Sequence, residues 1–336
     1  MIDDPSPSVS TWVREDFGIE LDALEPVTHG ADQQARLWRA RAVDGTGYAV
    51  KLSGGGTPAG LLVTAHLAGQ GVRGVAAPLP TRDGRLYSRR EGRRLSVVPW
   101  VSDERALGGA MTLAHWRAYG EVLAAVHAAA VTDDLAELLP RGGGTYQRIL
   151  TATRAQAGRL RDPGRAGAVA ELAEVWASVA DPVAALIRAV ERLAVEVRDR
   201  PGPAVVCHGD PHLGNLLLGP DGQVWLIDWD DAVLAPRECD LMFILGGVLA
   251  FAPVTGEQQA AALAGYGAVD VDPARLAWFL AVRALDDLSD WTRQALDPDA
   301  SAADRSFAVR IVRGLVSPDG LVTLATSALR DLDRSR

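Results

Sequence analysis

Residues 204–241 read AVVCHGDPHLGNLLLGPDGQVWLIDWDDAVLAPRECDL and set three polar side chains at the ends of apolar runs: Asp210, Asn215 five positions later, and Asp228 after VWLI. A strand that ends in polar residues presents them where loops gather, and two such strands joined by a short turn bring Asp210, Asn215 and Asp228 together. These residue types suit phosphoryl transfer. One carboxylate accepts or orients the proton of an attacking hydroxyl, while the second carboxylate and the amide oxygen hold Mg²⁺ against nucleotide phosphates. The same stretch admits a rival, because His208, Asp210 and His212 alternate and on an extended backbone would face one way as the metal triad of a hydrolase. Pro211 and the lack of a further ligand at matching spacing count against that triad, which also leaves Asn215 and Asp228 without a task.

A second position is singled out by composition. Lys51 is the one lysine in 336 residues, so 33 of the 34 basic residues are arginine. Arginine differs from lysine in size, planarity and hydration, so a chain that uses arginine almost everywhere keeps lysine where a compact ammonium is required.

The remaining composition bounds the partners. Net charge is −9, which argues against nucleic acid, since phosphate backbones call for basic patches, and is compatible with a small cationic substrate. Apolar residues make up 48% and charged residues 23%, and no apolar run reaches membrane-spanning length, so the expectation is a globular protein of about two domains without a membrane partner. The acidic start MIDDPSPSVSTW has no apolar signal core, which favours a cytoplasmic location. Cys207 and Cys239 then read as packed thiols, and the chain as a monomer or dimer.

Periodicity supplies the elements that must position these residues. Residues 8–18 show helical spacing of Val9, Trp12, Val13 and Phe17, and residues 23–28, 36–42 and 48–52 read as three antiparallel strands with Lys51 closing the third. A helix follows over 59–68, then a pair of strands around the Asp83-Gly84 turn and an extended apolar run at 97–101. From Thr112 onward helical spacing dominates, with Thr112 as a cap and His115 and His127 as structural residues. Asp286 and Asp290 lie one turn apart on a late amphipathic helix, where like charges repel unless a cation lies between them. With Asp287 and Trp291 beside them, and Trp229, Asp230 and Asp231 after Asp228, they read as an acidic, tryptophan-flanked surface for a ligand combining protonated amines with sugar-like faces.

HGDPHLGN followed by LIDWDD resembles the aminoglycoside phosphotransferase family, which is similar in fold to protein kinases and includes choline, homoserine and other small-molecule kinases. The resemblance implies an α+β, bilobal protein-kinase-like fold. An N-terminal nucleotide-binding lobe over 1–101 would hold an antiparallel sheet and one main helix, with a hinge at 97–101, and a larger, mostly helical catalytic lobe would span 102–336. It implies ATP or GTP with Mg²⁺ as cofactors, Asp210 as the catalytic carboxylate, Asn215 and Asp228 as metal ligands and Lys51 on the phosphates. His208 and Asp240 would support the catalytic loop, Gly30 would lie in a nucleotide-covering loop, and the backbone N–H groups of Trp100 and Val101 would meet the adenine base. LAHWRAYGEVLAAVHA and SVVPW are similar to spectinomycin 9-phosphotransferases within that family.

The expected activity is therefore phosphorylation of a hydroxyl on an aminoglycoside or aminocyclitol antibiotic, with resistance as the outcome. A metabolic kinase for choline, homoserine or a sugar, and a nucleotide-binding module without catalysis, are the alternatives. One departure stands out. Kinases orient the phosphate lysine with a Glu on the next helix, yet no Asp or Glu occurs between Asp44 and Asp83, which leaves Glu91 or Asp228 as the expected partner of Lys51.

Overall fold

The computed structural model describes residues 6–27, 35–109, 111–161, 168–246, 249 and 252–336. Gly30 and the loop through Gln34 lie outside the described residues. The chain forms two compact units, one of residues 1–139 and 208–232, the other of 140–207 and 233–336. Packing therefore divides the molecule differently from the 1–101 and 102–336 lobes drawn from the resemblance, because the catalytic stretch folds with the sheet-bearing residues.

The first unit begins with helix α1 (Ser6–Phe17) and strands β1 (Leu21–Pro26), β2 (Ala35–Ala42) and β3 (Gly47–Ser53). Helix α2 (Ala59–Gly69), β4 (Ser88–Arg90), β5 (Arg93–Pro99), the short β6 (Glu104–Arg105), α3 (Leu113–Ala128) and α4 (Asp133–Leu138) follow. Among the described residues β1-β2-β3-β5-β4 make a five-stranded antiparallel sheet. Its one face buries Trp38, Ala40, Val50, Leu52, Leu95 and Val97 against Val9 and Val13 of α1. Strand alternation then turns Lys51, which stands between Leu37 and Ser96 in the sheet, to the opposite face.

One hairpin differs from its expectation. The strands β4 and β5 are joined at Glu91-Gly92, with φ of 53° and 73°, and not at Asp83-Gly84. Two successive left-handed residues match the strand twist in a two-residue hairpin, so this register overrides the weak turn preference of Glu. Asp83 instead accepts a hydrogen bond from the Thr81 hydroxyl in a separate loop.

The chain leaves this unit at residue 139 and returns at His208 to form β8 (Leu216–Leu218) and β9 (Val224–Leu226), which pair with β6 as a small sheet. The second unit contains α5 (Tyr146–Leu160), α6 (Ala168–Ser178), α7 (Ala180–Asp199) and β7 (Val205–Cys207), then β10 (Val233–Ala235), α8 (Glu238–Leu245), α9 (Gly256–Tyr266), α10 (Pro273–Ala295), α11 (Ala302–Leu315) and α12 (Leu321–Arg334). Helix α10 lies at its centre: Asp272 caps it by accepting from the N–H groups of Ala274 and Arg275, and Ala277, Trp278, Ala281, Ala284, Leu285 and Leu288 are buried along it. Buried indoles there find acceptors, Trp176 on Thr292 and Trp278 on the Val190 carbonyl.

Candidate active site

The β8–β9 hairpin places the two expected metal ligands side by side. Leu216 pairs with Leu226, and one step outward the Ile227 N–H donates to the Asn215 carbonyl at 2.9 Å, so Asn215 and Asp228 emerge together at the open end. The Asn215 side-chain amide donates to the Asp210 backbone carbonyl at 2.8 Å and approaches Asp210 Oδ2 at 3.4 Å, which leaves its own oxygen as the remaining ligand atom. Asp228 adopts φ 63° and ψ 67°, a left-handed conformation that Asp tolerates better than most residues and that recurs at functional sites.

The loop before Asn215 is fastened on several sides. His208 is fully buried, its Nε2 lies 2.9 Å from the Ile227 carbonyl, and its Nδ1 accepts the Asp210 N–H at 3.2 Å. Accepting at Nδ1 places the proton on Nε2, so the imidazole ties Asp210 to the residue that precedes Asp228. Gly209 has φ 86°, and a Cβ there would stand 2.2 Å from the Asp231 carbonyl oxygen, so only glycine lets the two turns close on each other. The Tyr119 hydroxyl donates to the Pro211 carbonyl at 2.6 Å. Tyr119 reads in sequence only as a core position of a helix; the available signal is that a phenol on a buried face needs an acceptor.

The hydrolase triad does not form. Both His208 nitrogens are engaged with the backbone, and His212 accepts the Gly214 N–H at Nδ1 while its Nε2 lies 3.5 Å from Asp210 Oδ2. His115 likewise completes a capping box with Thr112 at the start of α3, as a structural histidine should.

Lys51 reaches the same place from β3. Its Nζ lies 2.7 Å from Asp230 Oδ2 and 3.5 Å from Asp228 Oδ1. Of the two expected partners Asp228 is therefore near, whereas Glu91 sits exposed at the β4–β5 turn, and Asp230 holds the shorter contact. Asp210, Asn215, Asp228 and Lys51 thus converge within the first unit.

The expected nucleotide and substrate contacts fare unevenly. The Trp100 N–H donates to the Gly47 carbonyl at 3.0 Å, its indole N–H to Asp103, and Arg39 covers its ring, so Trp100 continues the pairing of β5 with β3 while Val101 follows it outside the strand. Trp229 is buried, with its indole N–H on the Leu226 carbonyl and its ring against His208, and so offers no open face to a ligand. Asp231 is exposed. Asp286, Asp287, Asp290 and Trp291 belong to the second unit. There Asp287 pairs with Arg283, Asp290 with Arg293 and Gln294, and Trp291 packs edge-on to Phe307. Asp240 is fully buried in the first turn of α8 beside the free thiols Cys207 and Cys239. Burial, then the Cys239 thiol and the charge of Asp240, push Cys207 well up.

Asp286 is pushed up to about 6, first by desolvation and then by Asp287, with Arg283 opposing. A carboxyl that holds its proton more tightly when folded binds more protons than the unfolded chain between pH 4 and 6, so its contribution to stability falls as pH rises through that window. Asp286→Asn should raise Tm above pH 6 and leave it unchanged near pH 4. The gain is small because the side chain still reaches solvent, and thermal melts across this pH range check it.

Two features define the class: a five-stranded antiparallel sheet delivering a lysine, and a hairpin delivering Asn and Asp beside a fastened Asp, the arrangement of a protein-kinase-like phosphotransferase. The sequence pattern of the phosphotransferase enzyme family matches residues 23–279, well over half of the chain, and the protein belongs to that family. An uncharacterized protein of Deinococcus radiodurans is 29% identical over 93% of this chain and 83% of its own length. Spectinomycin phosphotransferase APH(9)-Ia, solved with ADP and spectinomycin, superposes with a TM-score of 0.87 at 21% identity over 96% of this chain and 98% of that one. The macrolide 2'-phosphotransferase MphH of Brachybacterium faecium gives 0.57 at 19% identity over 94% and 99%. Among the described residues no helix is long and apolar enough to cross a membrane.

Proposed function

We propose that the protein transfers the γ-phosphoryl group of ATP to a hydroxyl of an aminoglycoside or aminocyclitol, with a spectinomycin-like aminocyclitol as the leading acceptor. The observation that carries the reaction class is the convergence of Lys51, Asp210, Asn215 and Asp228 at one end of the β8–β9 hairpin. The donor set fits Mg²⁺, since the Asn215 amide oxygen and the solvent-reaching Asp228 carboxylate are hard ligands. When bound, Mg²⁺ offsets the charge that builds on the phosphates during transfer.

In this scheme Asn215 and Asp228 hold the metal and Lys51 binds phosphate oxygens. Asp210 takes the proton of the acceptor hydroxyl, held in place through His208, Asn215 and the Tyr119–Pro211 contact. The Val101 N–H meets the base, since that of Trp100 is already used, and exposed Asp231 is available to an ammonium of the acceptor. The overall likeness to APH(9)-Ia supports an aminocyclitol, and the acidic net charge suits a polycation.

The test is ATP consumption by the full-length protein with Mg²⁺ across spectinomycin, other aminocyclitols and aminoglycosides, macrolides, choline, homoserine and simple sugars. Turnover restricted to antibiotics, with the phosphate located on one hydroxyl, is expected. Turnover restricted to choline, homoserine or sugars makes the protein a metabolic kinase, and nucleotide binding without turnover on any acceptor removes the catalytic reading.

A further inference from the structure

We infer that Asp230 is the positioning residue for Lys51, filling the part that the carboxylate-free helix α2 leaves open; this rests on the phosphoryl-transfer reading above. The two acids near Lys51 are not equivalent. Asp228 is the metal ligand of the proposed site and stands 3.5 Å from Nζ, whereas Asp230 stands at 2.7 Å and is not a metal ligand in that scheme.

Helix α2 explains why the acid comes from the turn. Its first turn closes on residues 229–231 so tightly that a Cβ on Gly60 would lie 2.6 Å from the Trp229 carbonyl oxygen. The helix is thus a wall against the turn, and its inward positions, Gly60, Val63, Thr64 and Leu67, carry no charge. The turn is held from the other side by Gly209 against Asp231, and from within by the buried Trp229 indole on Leu226. A rigid 3₁₀ turn therefore presents Asp230 to Lys51, in place of a long glutamate on a helix. Lysine placement is then tied to the turn that carries Asp228, with α2 packed behind that turn and supplying no acid of its own, whereas in protein kinases the corresponding helix carries the acid of the ion pair.

The pair is open to water, with side chains 27% and 54% exposed, so it contributes little to stability and its role is geometric. Asp230→Asn and Asp230→Glu should be compared in the full-length protein. Asp230→Asn is expected to lower kcat/KM for ATP roughly 10-fold or more, with acceptor KM within about twofold and Tm unchanged, and Asp230→Glu to recover most of the loss. Affinity for ATP should weaken while that for adenosine does not. Because Lys51 is the one lysine, amine acylation followed by mass spectrometry reads its side chain directly, and its labelling rate should rise several-fold in Asp230→Asn. Unchanged ATP kinetics with a raised acceptor KM would overturn the inference in favour of an acceptor contact, and increased turnover would overturn it in favour of a lock on the empty site. A wild-type protein that neither binds nor consumes ATP defeats the phosphoryl-transfer reading instead, and unaltered Lys51 labelling defeats the placement by Asp230 even then.

Discussion

Asp210→Asn is expected to lower kcat by roughly 10³-fold while leaving nucleotide affinity and Tm in place. The size follows from what the substitution removes. Asn has the same shape, and the contacts that fix this loop run largely through backbone atoms: the Asp210 N–H to His208, the Asp210 carbonyl to Asn215, and the Pro211 carbonyl to Tyr119. An amide in that place keeps those backbone bonds, while it loses the capacity to take a proton from the attacking hydroxyl and the negative charge that faces His212 and Asn215. Steady-state ADP release gives the rate, and calorimetric titration with ATP gives the affinity. If ATP binding is lost with turnover, Asp210 is a structural residue of the loop and the proton-accepting role is wrong. A rate within a few-fold of wild type sinks the role outright.

The parts of this site that sequence made legible are those governed by local rules. Strands β1 to β3 fall within two residues of their expected bounds, because alternation and glycine-containing turns act over a few positions. Asn215 and Asp228 follow from their places at the two ends of one short hairpin. Lys51 was legible from composition alone. What stayed hidden depends on which way side chains turn once the chain packs, whether their partners are near or distant in sequence. Asp230 is 179 residues from Lys51, and nothing local distinguishes it from Asp231, so both read as substrate contacts until packing turns one of them to the lysine. Trp229 read as a ligand platform, yet its indole N–H finds the Leu226 carbonyl three residues back and the ring goes inside. On α10 the arginine partners were in plain view at helical spacing, Arg283 four residues before Asp287 and Arg293 three after Asp290. Counting only acids overstated the free negative charge of that helix.

Asp228 offers a separation of backbone from side-chain effects that the other site residues do not. It is left-handed, at φ 63°, and in the proposed reaction it supplies a carboxylate beside Lys51 and Asn215. Three substitutions divide those demands. Asp228→Asn keeps a residue that accepts the left-handed region and loses the charge; Asp228→Gly relieves the backbone and loses the side chain; Asp228→Ala loses the side chain and adds a strain of about 1 kcal/mol. All three should lower kcat by on the order of 10³-fold, since none retains a charged ligand for the metal. Asp228→Asn should also need a much higher Mg²⁺ concentration for half-maximal rate. The melts should rank differently from the rates, with Asp228→Ala below Asp228→Gly by about that 1 kcal/mol and Asp228→Asn near wild type. Rates that instead followed the stability ranking, with Asp228→Asn nearly active and its Mg²⁺ requirement unchanged, would show that the turn's conformation, and not its carboxylate, is what the chemistry uses. Equal melting of Asp228→Ala and Asp228→Gly would show that the left-handed turn carries no strain at all.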